Sequence, residues 1–282
     1  MPRVAVVVPC FNDGATLGET LSSLEGQEPH ELVVIDDGSD EPETVHALTE
    51  LEARGFRVVH RENGGLSAAR MTGVEATEAP YVFPLDADDV PAPGALATLA
   101  DALDADPEAA LAWGDIEIWG EFDARIDVAR SLDPWLLTYV NDVPVASLVR
   151  RTALLEAGGW SMGSGYEDWD LWLALAERGY RGIHVPVPTF RYRRRSGRML
   201  ADCLPRHAEL YARLRERHPS LFAARRENRR RSTVPPRAKL LLPLVEHLPL
   251  LDAFDRHRLY LFVNRPRQVL ALRRLRAAAA VR

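Results

Sequence analysis

The first residues switch between two hydrophobic periods. "RVAVVVP" is a continuous apolar run rich in β-branched side chains, which predicts a strand covered on both faces, as in a parallel sheet. Leu17, Leu21 and Leu24 then recur at helical spacing, Thr16 with Glu19 predicts a capping box, and Gly26 is placed to end the helix. "ELVVIDDGSD" predicts a second strand ending in a polar turn. A charged helix from about Glu43 to Arg54, the strand "FRVVH", a small-residue helix in "GLSAARMTGVEAT" and the strand "YVFPL" continue the alternation. Such alternation implies right-handed crossovers, a mostly parallel sheet, and ligands at the carboxyl ends of the strands. The polar clusters after strands one, two and four fall at those ends.

Leu96, Leu99 and Leu103 mark one more amphipathic helix, and "ALAWGDIEIWGE" then shifts to a strand pattern with Ile116 and Ile118 on one face. Beyond it the alternation stops. "NDVPVASLVRR" predicts a strand, "YEDWDLWLALAERGY" a helix stopped at Gly179, and "RGIHVPVPTFRYR" a late edge strand interrupted by prolines. Near residue 200 the composition turns to Arg and Leu in helical spacing, which places the boundary of an extension there.

Composition adds the scale. A chain of 282 residues, 46% of them hydrophobic, buries a substantial core as one large domain or as a domain with an appendage. The net charge of -6 hides a division, because the stretch from Arg191 to Arg282 carries about +17 and the rest about -23. The basic arm is expected to lie on an anionic membrane surface, to build a homodimer, or to pack on its own domain. Nucleic acid is not expected as a partner, since the acidic body opposes phosphate. Cys10 and Cys203 stand far apart with no C-x-x-C, which argues against a disulfide scaffold or thiolate metal site and fits a reducing compartment. Only a short apolar run precedes Pro9, too little for a signal-peptide core, so the expected location is the cytoplasm, including the inner face of its membrane.

The chemistry gathers in "FPLDADDV", where Asp86, Asp88 and Asp89 crowd like charge into four positions. A solvated turn after a strand explains this, and so does a site that supplies a cation. No G-x-G-x-x-G or Walker A sequence is present to cradle phosphate, and the eight histidines show no zinc spacing. A carboxylate cluster holding Mg²⁺ or Mn²⁺ handles phosphate charge by another route, with phosphate oxygens completing the coordination.

Six segments in order, "VVVPCFND", "VVIDDGSD", "NGGLSAAR", "PLDADD", "EAGGW" and "YEDWDLWLAL", resemble an inverting GT-A-fold glycosyltransferase of family 2 over roughly residues 3 to 200. The resemblance implies a Rossmann-like α/β GT-A domain at 1–200, with a nucleotide-binding half at 1–110 and an acceptor half at 111–200, followed by a basic helical extension at 201–282. It implies metal-dependent transfer from a nucleotide diphosphate sugar, with UDP favoured, to an acceptor hydroxyl. By position, Pro9 and Phe11 would flank the base, Asp37 would accept a hydrogen bond from it, Asp36 would support that turn, and Arg70 would meet base or phosphate. Asp86 would bind the ribose, Asp88 the metal bridging the diphosphate, and Ala87 between them would line the donor site. The catalytic base would be Asp168, with Glu167 beside it and Trp160 and Trp169 against sugar faces in the acceptor cleft.

Each residue also has a plainer role open to it. Asp36 and Asp37 serve equally as turn or helix caps, Arg70 as an exposed helical Arg, and Asp168 as a carboxylate favoured by a helix N-terminus. Trp169 and Trp172 stand at helical spacing, which favours core for Trp172, and Asp170 is expected to be structural. The sequence departs from the family in one place. Where some members have a His ligand after a Tyr-Arg pair, Arg193, Arg194 and Arg195 stand here, and guanidinium cannot ligate a metal. Two other functions stay open: a nucleotidyltransferase of related fold, and a non-catalytic carbohydrate- or protein-binding scaffold.

Overall fold

The structure, a computed structural model, describes residues 1–120, 123–163, 165–194, 205–246 and 253–279. Strand β1 (Val4–Cys10) is buried along its whole length and pairs in parallel with β2 (His30–Asp36) on one side and β4 (Tyr81–Pro84) on the other. With β3 (Val58–His60) outside β2, four parallel strands end together, so Cys10 is in register with Asp36 and Val7 with Pro84. The residues after those ends are Phe11, Asp37 and the Asp86 turn.

Alternation along β1 sends side chains to two cores. Val4, Val6 and Val8 join Leu17 and Leu21 of α1 (Gly14–Ser22) and Leu96 and Leu99 of α4 (Ala95–Ala105). Val7 faces the other way, toward Ala69 and Val74 of α3 (Leu66–Glu75) and the Trp172 side of α7 (Glu167–Glu177). Helix α3 sits so close to β1 that a Cβ on Gly73 would stand 2.1 Å from Val7 Cγ1. Gly73→Ala is therefore expected to cost about 1–3 kcal/mol, seen as a lower denaturant midpoint at unchanged m-value.

The second half of the sheet is mixed. Beyond β4 come β8 (Leu148–Arg150), antiparallel, then β6 (Ala109–Gly120), then β9 (Arg181–Arg194) parallel to β6, and β5 (Val90–Pro91) antiparallel on β9. A short β7 (Ala124–Ile126) pairs with β6. The strand predicted as an edge is thus flanked on both sides, and its prolines fall where the register slips from Gly114↔Val185 to Asp115↔Pro188, a bulge that leaves Pro186 out of the ladder.

Three other expectations change. Thr16 lies inside the first turn of α1 because Gly14 N–H already binds Thr44 Oγ1 at 3.0 Å in α2 (Pro42–Ala53), starting the helix earlier than a capping box at Thr16 and Glu19 would. The strand predicted across "NDVPVASLVRR" shrinks to β8, since Pro144 carries no donor and Ser147 folds back onto its carbonyl at 2.6 Å. Arg151 then opens a helix, α6 (Arg151–Glu156), that periodicity did not disclose.

The arm is helical: α8 (His207–Arg217), α9 (Pro219–Ala223), α10 (Arg225–Arg231), α11 (Pro236–Glu246), α12 (Ala253–Asn264) and α13 (Pro266–Ala279). It packs on the body through a third core, where Ala238, Leu242, Val245 and Tyr260 meet Trp135 and Leu136 of α5 (Pro134–Leu137) and Val140. The boundary expected near residue 200, Cys203 and Arg195 lie outside the described residues. Among the described residues no helix is long and apolar enough to cross a membrane.

Candidate active site

The carboxyl ends of β1 and β2 form one wall. Pro9 is buried in β1, whereas Phe11 leaves half its surface in solvent. Asn12 adopts φ 54°, a left-handed conformation unusual outside glycine, and its amide grips the loop before α2 through Asp40 N–H, Glu41 N–H and the Asp40 carboxylate. Burial works to raise the Asp36 carboxyl, but hydrogen bonds with His60 at 2.8 Å and from Ser39 N–H at 2.9 Å outweigh it and hold the group below its usual range. Asp37 is buried and accepts from Gly64 N–H (3.1 Å), Gly65 N–H (2.8 Å) and Arg61 Nη1. It fixes the glycine loop that begins α3, the turn-capping role that the sequence left open beside a base contact.

The Asp86–Asp89 stretch is a turn closed by Asp89 N–H to Asp86 O at 3.0 Å and anchored by Thr20 Oγ1 to Ala87 O at 2.8 Å. Ala87 and Asp89 are buried, while Asp86 and Asp88 keep part of their surface in solvent. Beneath the turn lies Arg70, only 1% exposed, which makes it neither an exposed helical side chain nor a freely presented phosphate ligand. Its Nη2 donates to Asp86 Oδ1 at 2.9 Å and its Nη1 to Glu167 Oε1 at 3.1 Å. One guanidinium therefore fastens the acidic turn to the start of α7.

Tyr166, before α7, also has positive φ, 61°, and this bend starts the helix at Glu167. Asp168 is partly exposed with protein packed around it. Burial and neighbouring Glu167 push its carboxyl up to about 6, against Arg70, the Trp169 N–H and Asn141. Two donors hold it: Trp169 N–H to Oδ1 and Asn141 Nδ2 to Oδ2, both at 2.8 Å.

The tryptophans behave as packing. Trp169 is buried and gives its indole N–H to Leu137 O at 2.7 Å, and Trp160 is buried under the Arg70 guanidinium, 5.7 Å from its ring. Neither offers the open face expected for stacking on a sugar, because the chain around α7 needs their volume in its core. Trp172 is core as expected. Asp170 is structural as expected, held by Arg217 Nε (2.6 Å) and Nη2 (2.9 Å) and by His218 Nε2 (2.9 Å) of the arm.

Several groups were not legible beforehand. Asn141 stands in a loop segment with no motif, and Arg217, His218 and Arg265 read only as members of a basic run; their partners lie far away in sequence. Among the described residues no three His, Cys, Asp or Glu side chains converge as a metal site. A separate cleft of about 240 Å³, lined by Leu21, His30, Leu32, Leu51 and Phe56, sits at the opposite end of β2 from Asp36 and Asp37.

A family model described as "Glycosyl transferase family 2" matches residues 5–142. The uncharacterized protein y4gI of Sinorhizobium fredii is 33% identical over 187 residues, covering 63% of this chain and 20% of that protein. The pre-mycofactocin glycosyltransferase of Mycobacterium tuberculosis is 32% identical over 223 residues, 73% of this chain and 45% of that one. The chain thus spans less than half the length of these curated relatives. Among solved structures, S. aureus TarS 1-349 in complex with UDP-GlcNAc superposes with a TM-score of 0.58 at 18% identity, covering 71% of this chain and 61% of that one, a likeness of fold.

Proposed function

The chain belongs to glycosyl transferase family 2 and has a GT-A-like fold, and from that premise we propose that it transfers a sugar from a nucleotide diphosphate sugar to an acceptor hydroxyl with inversion. The observation that carries this is the Arg70 bridge, which ties the Asp86–Asp89 turn to the helix that begins at Glu167 and Asp168. A donor held at the turn then lies within one fastened unit with the carboxylate that must act on the acceptor.

Asp168 is the catalytic base. As the acceptor oxygen forms its bond to the anomeric carbon, the Asp168 carboxylate takes the hydroxyl proton, and the bond from that carbon to the diphosphate oxygen breaks with its electron pair leaving on the nucleotide. A single displacement of this kind inverts the anomeric centre. Asp168 ends protonated, a state favoured by its raised affinity for protons.

The donor side rests on Phe11, Asp36, Asp37 and Asp86. Exposed Phe11 offers an aromatic face for the base, beside Pro9, and the Asp37 loop sets the floor on which that base rests. UDP is the favoured nucleotide, in keeping with the UDP-GlcNAc carried by the TarS structure. Asp86 and Asp88 offer hard carboxylate oxygens suited to Mg²⁺ or Mn²⁺. Such a cation would be held by Asp88, with phosphate and water as its other ligands, since the described residues bring no third carboxylate or imidazole. When bound, it would offset the diphosphate charge.

Calorimetry with UDP, with and without Mn²⁺, tests this donor site. We expect metal-dependent heat for the parent chain and at least a tenfold weaker affinity in Asp88→Asn. Heat that ignores both the metal and the substitution would remove Asp88 from the donor site. The arm's contact with membrane or with a second copy has no comparable support, because the packing described for it is on its own body.

A further inference from the structure

Asn141 lies in the loop between α5 and β8, with no motif to mark it, yet its amide reaches the carboxyl that the proposed reaction depends on. Nδ2 stands 2.8 Å from Asp168 Oδ2. An ionised carboxylate offers no proton, so the amide nitrogen must be the atom that faces it, and Asn141 Oδ1 is left to accept Val143 N–H at 3.4 Å. The amide can turn over only by presenting oxygen to oxygen.

The loop is itself held from the arm. Arg265 at the end of α12 donates through Nη1 and Nη2 to both oxygens of Asp142, at 3.2 and 2.6 Å, and through Nη1 to Asp127 O at 2.6 Å. Tyr260 hydroxyl approaches Asp142 at 3.4 Å, and the Asp142 carbonyl accepts Ala129 N–H at 2.9 Å. Asp142 and Arg265 are largely buried, so their hydrogen bonds face little competition from water. The residue next to Asn141 is thus pinned through both its side chain and its backbone.

We propose that Asn141 is the positioning residue of the Asp168 carboxylate, orienting Oδ2 and favouring its ionised form, in a loop kept in place by Arg265 of the arm. This rests on Asp168 being the base. The other oxygen is fixed by the Trp169 N–H of its own helix, so together the two donors hold both lone-pair edges and set the plane of the carboxylate. The charged groups that face Asp168 are Glu167 on its own helix, which opposes ionisation, and Arg70 from α3, which favours it. Asn141 joins Arg70 in that second effect without adding charge.

The test is the pH dependence of transfer, measured at saturating donor in Asn141→Ala, Asn141→Asp and Asp168→Asn. Removing a donor to the ionised form should move the acidic limb up by about one pH unit in Asn141→Ala, so that it runs about tenfold slower at pH 5 while staying within about threefold at pH 8, with donor KM unchanged. Asn141→Asp keeps the shape but sets a second carboxylate against the first, and should move the limb further. A merely structural Asn would give the reverse ranking, with the truncation worse than the near-isostere. An unmoved limb in Asn141→Asp, together with an inactive Asp168→Asn, overturns the positioning role alone. An active Asp168→Asn overturns the base assignment and this proposal with it.

Discussion

Asp168→Asn is expected to slow transfer by about 10²- to 10⁴-fold while leaving donor affinity within about twofold. The amide is nearly isosteric and its single oxygen can still accept from Trp169 N–H, with its NH2 donating to Asn141 once that amide turns over, but it cannot take the acceptor's proton. The loss should therefore appear in kcat. Calorimetry with UDP supplies the binding half of the comparison, and a variant that turns over at the parent rate would strike Asp168 from the mechanism. In the parent, the base must be ionised, so the rate should rise with pH through about 6.

Stability should move the other way. The folded Asp168 carboxyl binds its proton more tightly than an unfolded Asp, whose pKa is about 3.9. The folded state therefore takes up protons first as pH falls, and the group's contribution to stability declines as pH rises from about 4 through about 6. Above that range its ionised form is a net cost, chiefly from burial and Glu167. Asp168→Asn removes this cost, so its thermal midpoint at pH 7.5 should be no lower than the parent's. An inactive variant that is equally stable separates a chemical role from a structural one.

Arg70→Met is expected to have the largest effect on stability, about 3–5 kcal/mol, read from the denaturant midpoint. The guanidinium is buried between Asp86 and Glu167, and taking it away leaves carboxylates near or inside the core without a counter-charge. Glu167 contributes most of the penalty, because its side chain is 9% exposed against 32% for Asp86. Arg70→Lys should recover only part, since a single ammonium cannot reproduce the fork that reaches two carboxylates at once. A Met variant as stable as the parent would mean that both carboxylates find water or a proton, and the bridge would lose its structural role.

The parallel half of the sheet was legible because its strands are short, β-branched and separated by amphipathic helices, so period alone located β1 to β4 and the carboxyl edge at which they end. The mixed half was less so. β8 has three residues, β5 two and β7 three, too few for a period to show, and they exist because β6 and β9 offer them a ladder. Among the proposed site residues, Asp36, Asp37, Asp86, Asp88 and Asp168 stand out in the sequence through motif order alone. Arg70 has neighbours that no motif discloses, since spacing cannot say that a guanidinium will be enclosed by carboxylates sixteen and ninety-seven positions away. Trp160 and Trp169 were misjudged for a related reason, since an aromatic beside a catalytic motif looks the same in sequence whether it faces a sugar or a core. Asn141 has no signature at all, because what makes it matter is a loop whose position is set by α12.

The arm's grip on the body also bears on how freely such proteins can exchange parts. Arg217 and His218 meet Asp170, and Arg265 meets Asp142, so the two pieces are keyed by charge at two carboxylates that water barely reaches. An arm taken from another chain would have to present a cation at both positions. Failing that, it would strand each of two buried carboxylates at a cost of several kcal/mol, one of them two residues from Asp168. The body and its arm are a lock with its own key, and a donor domain cut free at a compositional boundary is not a module that can be recombined at will.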